Sequence, residues 1–220
     1  MKKILYLMAT LISTQINTVA MVSFGQSCTV AGAMRENGIR TTAYPFDWMV
    51  SPFPSLYQAF EDDFLHFLQE DSLTIRYDRY GILDYYGFQF VHDFPAVLPN
   101  DSFAVLIGES HVTGGILRDD WKNFLAEVQT KYRRRIERLN NLLLSNEKVY
   151  LIRHFDITKD QAIQLRDLLH KKYPNLDFVL VVLQRTENIQ YDWKLECIKN
   201  FYLDEHNPED WKNLFKTMNT

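Results

Sequence analysis

Two cysteines and six histidines carry most of the chemistry open to this sequence. Cys28 stands in Gly25-Gln26-Ser27-Cys28-Thr29, between Val22-Ser23-Phe24, which reads as a short strand, and Thr29–Glu36, which reads as a helix closed by Asn37-Gly38. A thiol at a helix start lies near unpaired amide N–H groups and the positive end of the helix dipole, and both favour the thiolate, the nucleophilic form. Gln26 and the neighbouring backbone amides are the candidate donors to a developing oxyanion. The competing reading is that Cys28 is a small buried hydrophobe, a common fate of a free cysteine. Cys197, inside the apolar-spaced segment Trp193–Phe201, reads as core. A Cys28–Cys197 disulfide is open to an exported protein.

A cysteine nucleophile needs a base. His66 falls on the polar side of an apolar helix, His170 and His206 in charged, solvated surroundings, and His111 in a glycine-containing loop. The segment Gly108-Glu109-Ser110 lacks the second glycine of a nucleophile elbow. His92 and His154 each end an apolar run, where side chains emerge at a sheet edge. Either could also be a hydrogen-bonded structural histidine. Asp47, in the aromatic loop Tyr44–Trp48, is the candidate to orient the imidazole. Asp93 is adjacent to His92, and Asp156 lies close to His154; neighbours on a strand point to opposite faces, which gives Asp93 the less direct geometry.

Trp48 and three arginines are candidate substrate contacts. Arg134 and Arg138 share a helix face at i, i+4, and Arg153 ends a predicted strand, although a basic helix face is more often simply solvated. No His-Glu-x-x-His, Cys-x-x-Cys, calcium loop, phosphate loop or dinucleotide fingerprint occurs, so no metal or cofactor is expected.

These residues need elements to hold them. Ser55–Leu68 has apolar residues at helical spacing, and 73–94 alternates as short strands or a hairpin around Gly81 and Gly87. Asp119–Ser145 reads as one long helix, with Phe124, Leu125, Val128, Tyr132, Ile136, Leu139 and Leu143 on one stripe and Lys131, Arg134, Arg135 and Arg138 opposite. Val149–Arg153, a helix opened by the capping box Thr158–Gln161, and Phe178–Leu183 form a strand–helix–strand run of parallel βαβ type. Pro208–Met218 reads as a short amphipathic helix. Asp120-Trp121-Lys122-Asn123 recurs at Asp210–Asn213, which fits capping at two helix starts better than duplication. The expected fold is a single α/β domain, mixed α+β being the alternative, with the βαβ unit in the C-terminal half and irregular β structure in the N-terminal half.

Composition agrees with one folded domain. The chain has 220 residues, 46% hydrophobic, which excludes disorder and low complexity, and a net charge of −4, which argues against a sequence-independent grip on nucleic acid. Met1-Lys2-Lys3, the uncharged run Ile4–Ile12 and the polar Ser13–Val19 ending at Ala20 read as a secretory signal peptide over residues 1–20, leaving 21–220 as the mature domain. The expectation is an exported protein without a membrane span. A buried first element, or an upstream extension before Met21 in a cytoplasmic protein, are the alternatives.

Taken together, Val22–Cys28, Tyr44-Pro45-Phe46-Asp47-Trp48, Ser51-Pro52, His92-Asp93-Phe94, Tyr132–Arg138 and Val149–Arg153 resemble an uncharacterised, mostly bacterial family described as papain-like cysteine peptidases. The resemblance runs from about residue 21 to the region of Trp211. It implies a peptide or other acyl substrate, Cys28 as nucleophile, His92 as general base and Asp47 or Asp93 as the orienting carboxylate. The name papain-like also implies a helix with an antiparallel barrel, whereas 149–183 points to parallel α/β structure. Two other functions fit the residues. One is a transferase on a polar or glycan substrate held by Arg134, Arg138 and Arg153; the other is a non-catalytic binding protein using Tyr44–Trp48. Oligomeric state is not legible.

Overall fold

The computed structural model describes residues 19–97, 103–104, 115–155, 157–185 and 192–218. The expectations for the leader, His111, the 108–110 segment and Asp156 therefore fall wholly or mostly outside the described residues. In chain order the elements are β1 (Val19–Ser23), α1 (Thr29–Glu36), α2 (Phe53–Glu61), β2 (Thr74–Ile75), β3 (Ile82–Leu83), β4 (Gln89–Phe90), β5 (Ala96–Val97), β6 (Phe103–Ala104) and β7 (Ile116–Leu117). They continue with α3 (Leu125–Leu143), β8 (Lys148–His154), α4 (Lys159–Lys172), β9 (Phe178–Gln184), β10 (Ile198–Tyr202) and α5 (Pro208–Met218).

Period-two alternation in three apolar strands builds the central layer. Strands β1, β8, β9 and β10 pair in that order, all parallel, with Ser23 opposite Ile152 and Ile152 opposite Val181. Met21, Tyr150, Ile152, Val181 and Leu183 face one side and pack against α1 and α5. Val22, Val149, Leu151, Leu180 and Val182 face the other, toward the core shared with α2, α3 and α4. Two small three-stranded antiparallel sheets, β2-β3-β4 and β6-β5-β7, lie outside this layer. The fold is thus α/β, with the expected βαβ unit at β8–α4–β9. The main sheet is open and parallel, unlike an antiparallel barrel. Beyond the expectation, β1 joins the same sheet across the 124 residues that separate Ser23 from Lys148. A cut after Ala20 would fall inside β1, which begins at Val19.

Capping chemistry fixes several boundaries where it was expected. Helix α1 ends at Asn37-Gly38, with Gly38 at φ +69° and the Ile39 N–H donating to Met34 O at 2.8 Å. Thr158 and Gln161 complete the α4 capping box. Two helices differ from their apolar spacing. The first stops at Glu61, because Glu61-Asp62-Asp63 puts acid at the negative end of the dipole. There the Lys172 ammonium donates to Phe60 O at 2.5 Å and pairs with Asp63 at 2.6 Å. Phe64 and Leu68 still reach the core, through turns with positive φ. The stretch before α3 is a 3-10 turn, Trp121–Phe124, in which Trp121 packs edge-on to Phe94 at 5.5 Å. On α3 itself, Lys131 and Arg135 face inward rather than joining the solvated face. Arg135 lies over the Tyr132 ring, and Lys131 pairs with buried Asp93.

Candidate active site

The carboxyl ends of parallel strands are where an open α/β sheet presents ligand sites. Here β1 and β8 run out side by side: Phe24 N–H donates to Ile152 O and His154 N–H to Gly25 O, both at 2.8 Å. Immediately after, the chain turns through Gln26 and Ser27 into α1, with Cys28 as its N-cap.

This turn is clamped from below by Arg153. Its guanidinium is fully buried and donates to Phe24 O at 2.5 Å, to Ser51 O at 2.6 Å and to Ser51 Oγ at 3.3 Å. Ser51 N–H in turn donates to Gln26 O at 2.7 Å. Gly25 takes φ +82°, and a Cβ there would overlap the Ser51 hydroxyl and come 2.9 Å from Arg153 Nη1. Arg153 therefore anchors the Cys28 turn instead of opening onto a ligand, which corrects its assignment as a substrate contact. The physical reason is the strand register: odd residues of β8 face the α2–α4 core, and even residues face α1 and α5.

Cys28 is half-buried on the wall of a cleft of about 570 Å³. One wall is α1, with Gly32, Arg35 and Glu36; Trp48 adds a second; Glu205, His206 and Trp211, from the β10–α5 region, form the third. Burial pushes the thiol above its ordinary 9.0, opposed by the residue's own amide N–H, and no imidazole hydrogen-bonds the sulfur among the described residues. Desolvation at Cys28 thus works against the preference for the thiolate that a helix start confers. Both cysteines are free.

Trp48 is 2% exposed and has two guanidiniums over its ring, Arg35 and Arg40, each 5.5 Å from the centroid. Arg40 is fixed by Asp47, whose carboxylate takes the Arg40 Nε–H and the Tyr44 N–H, both at 2.9 Å. Burial raises the Asp47 carboxyl, and the Tyr44 N–H and Arg40 oppose it. His92 lies edge-on to Trp48 with centroids 6.4 Å apart, so it meets the cleft through the indole. Asp93 is buried and accepts from Lys131 and from the Tyr132 hydroxyl at 2.8 Å. Both candidate carboxylates are therefore engaged by cations and donors of the core. Neither Arg134 nor Arg138 lines the cleft; both are exposed on α3, and Arg138 donates to Ala43 O.

His154 sits on the cleft side of the sheet, 2% exposed, stacked on Phe155 and Trp211. Its Nε2 is 3.3 Å from Glu205, off the line of a good hydrogen bond, and Glu205 is also held by Arg185 at 2.5 Å. Burial pushes His154 down to about 4 against the pull of Glu205. Sequence reasoning passed over Arg35, Glu205, His206 and Trp211. The first lies at i+7 from Cys28 on one helix and was recoverable from helical spacing. The others meet Cys28 only through the tertiary fold.

Residues 19–188 match the family described as "Putative papain-like cysteine peptidase". This chain belongs to that family. No curated protein and no solved structure matches it. The match stops short of Trp211, where the sequence resemblance was expected to end. It holds Cys28, Gly32, Arg35, Trp48, His92 and His154 but not the Glu205–Trp211 wall. Among the described residues no cluster of ligating side chains could hold a metal ion, and no helix is long and apolar enough to cross a membrane.

Proposed function

We propose that this chain is a cysteine-dependent hydrolase of peptides or related acyl substrates, with Cys28 as the nucleophile. The observation that carries the reading is the position of Cys28: half-buried in a cleft, at the turn from β1 into α1, on a backbone clamped by Arg153. In the cycle, an imidazole takes the thiol proton and sulfur attacks the acyl carbon. The oxyanion forms near Gln26 and the first α1 amides. The imidazolium returns its proton to the leaving group, and a water deprotonated by the same ring cleaves the thioester, restoring acid and thiol.

Burial pushes His154 down to about 4 and pushes the Cys28 thiol up, so His154 is poorly matched to take that proton. His92, edge-on to the Trp48 ring that walls the cleft, is the base in this reading. His206 is the second reading, because it lines the same cleft as Cys28.

The test is covalent labelling of Cys28 by a peptidyl vinyl sulfone, mapped by mass spectrometry, in wild type, Cys28→Ala, His92→Ala and His206→Ala. The expected result is loss of labelling in Cys28→Ala and a fall of about 10²-fold or more in His92→Ala. A fall confined to His206→Ala moves the base to that residue. Unlabelled Cys28 in native protein, with labelling on denaturation, overturns the proposal.

A further inference from the structure

We infer that the exposed face of α1 is the floor of a substrate track. An extended peptide that acylates Cys28 crosses Gly32 and sets an acidic side chain against Arg35. The inference rests on reading Cys28 as the nucleophile.

Three observations support it. Cys28, Gly32 and Arg35 follow at i, i+4 and i+7, so they share one helix face, and all three line the cleft. At 1.5 Å per residue Arg35 lies about 10 Å along the axis from Cys28, which an extended chain rising 3.3 Å per residue covers in about three residues. Glycine is a poor helix former, yet Gly32 sits mid-helix with helical φ, and a Cβ there would meet nothing within 4 Å among the described residues. Packing does not exclude a side chain at Gly32. What its absence provides is an unobstructed floor between thiol and guanidinium.

Arg35 is the uncommitted cation of the cleft. It is exposed, steadied over the Trp48 face at 5.5 Å, and has no carboxylate partner among the described residues. Its neighbour on the same indole, Arg40, is paired with Asp47, and Glu205 across the cleft is held by Arg185. A guanidinium fixed by an aromatic face and lacking a carboxylate is set to take one from a ligand. Glu36, one residue farther out on the cleft wall, disfavours a second acid beyond it.

The experiment uses two tripeptidyl vinyl sulfones that differ only in Asp or Lys at the residue farthest from the electrophile, with iodoacetamide as a small-reagent control mapped to Cys28. Wild type should react about tenfold faster with the acidic probe, an amount typical of one charge-assisted contact. Arg35→Glu should reverse that preference. Gly32→Leu should slow both peptide probes about tenfold while leaving the iodoacetamide rate within about twofold and the thermal midpoint no lower. Equal rates for the two probes, a preference unmoved by Arg35→Glu, or a parallel loss of iodoacetamide reactivity in Gly32→Leu overturns the track. Reaction with iodoacetamide but with neither peptide overturns the hydrolase reading itself.

Discussion

Substituting alanine at Gly25 tests how the Cys28 turn is held. The residue sits at φ +82°, a region costing an L-residue about 1–2 kcal/mol. The new methyl would overlap the buried Ser51 hydroxyl, forcing it away from Arg153 Nη1, now 3.3 Å distant. Loss of that charge-assisted hydrogen bond adds about 1.5–3 kcal/mol, so Gly25→Ala should destabilise by about 2.5–5 kcal/mol in total. Urea unfolding followed by circular dichroism would show this as a lower midpoint at unchanged slope. Ser51→Ala removes the atom the methyl strikes, so the double variant should lose less than the two single losses combined, by about 1.5 kcal/mol or more. A loss below about 1 kcal/mol for Gly25→Ala, or strict additivity with Ser51→Ala, would refute the clamp.

Three further outcomes follow from buried groups and caps. His154 is held near 4 against 6.5 when unfolded, so the unfolded chain binds the extra proton first. The His154 contribution to stability should fall by about 3 kcal/mol as pH drops from 6.5 to 4, and the difference between wild type and His154→Phe in a pH series of urea midpoints should show it. Asp84, buried under the β3–β4 turn, is pushed up to about 7, which gives the opposite slope between pH 4 and 7. Asp84→Asn keeps an acceptor for the Tyr86 and Phe88 N–H groups and should raise the thermal midpoint at pH 8 but not at pH 4. Thr158→Ala removes the α4 cap and should cost about 1 kcal/mol by chemical denaturation, with Thr158→Ser near wild type.

Local chemistry was legible and distant chemistry was not. Helices α1 and α5 carry the predicted boundaries, because Asn37-Gly38 and Pro208 act within one turn of chain. The βαβ unit follows from two apolar runs and a capping box. The end of α2 was missed because apolar spacing continues through Phe64 and Leu68, although the three acids at 61–63 were the available warning. Arg135 and Lys131 look solvated on a helical wheel; only the buried carboxylates Asp47 and Asp93 explain why they turn inward. The sequence brought Cys28 to attention through its strand–turn–helix setting. It could not show that desolvation would raise the thiol, or that Glu205 and His206 would face it, since both depend on where β10 lies.

The cleft joins α1 to the β10–α5 wall, which lies far along the chain from it. Strand β1 also has no sheet partner until β8 emerges. On a ribosome Cys28 is therefore present long before the Glu205–Trp211 wall that faces it. In a growing chain the Cys28 cleft stays incomplete until the β10–α5 segment has emerged, so its two sides meet only after a long stretch of intervening chain has been made.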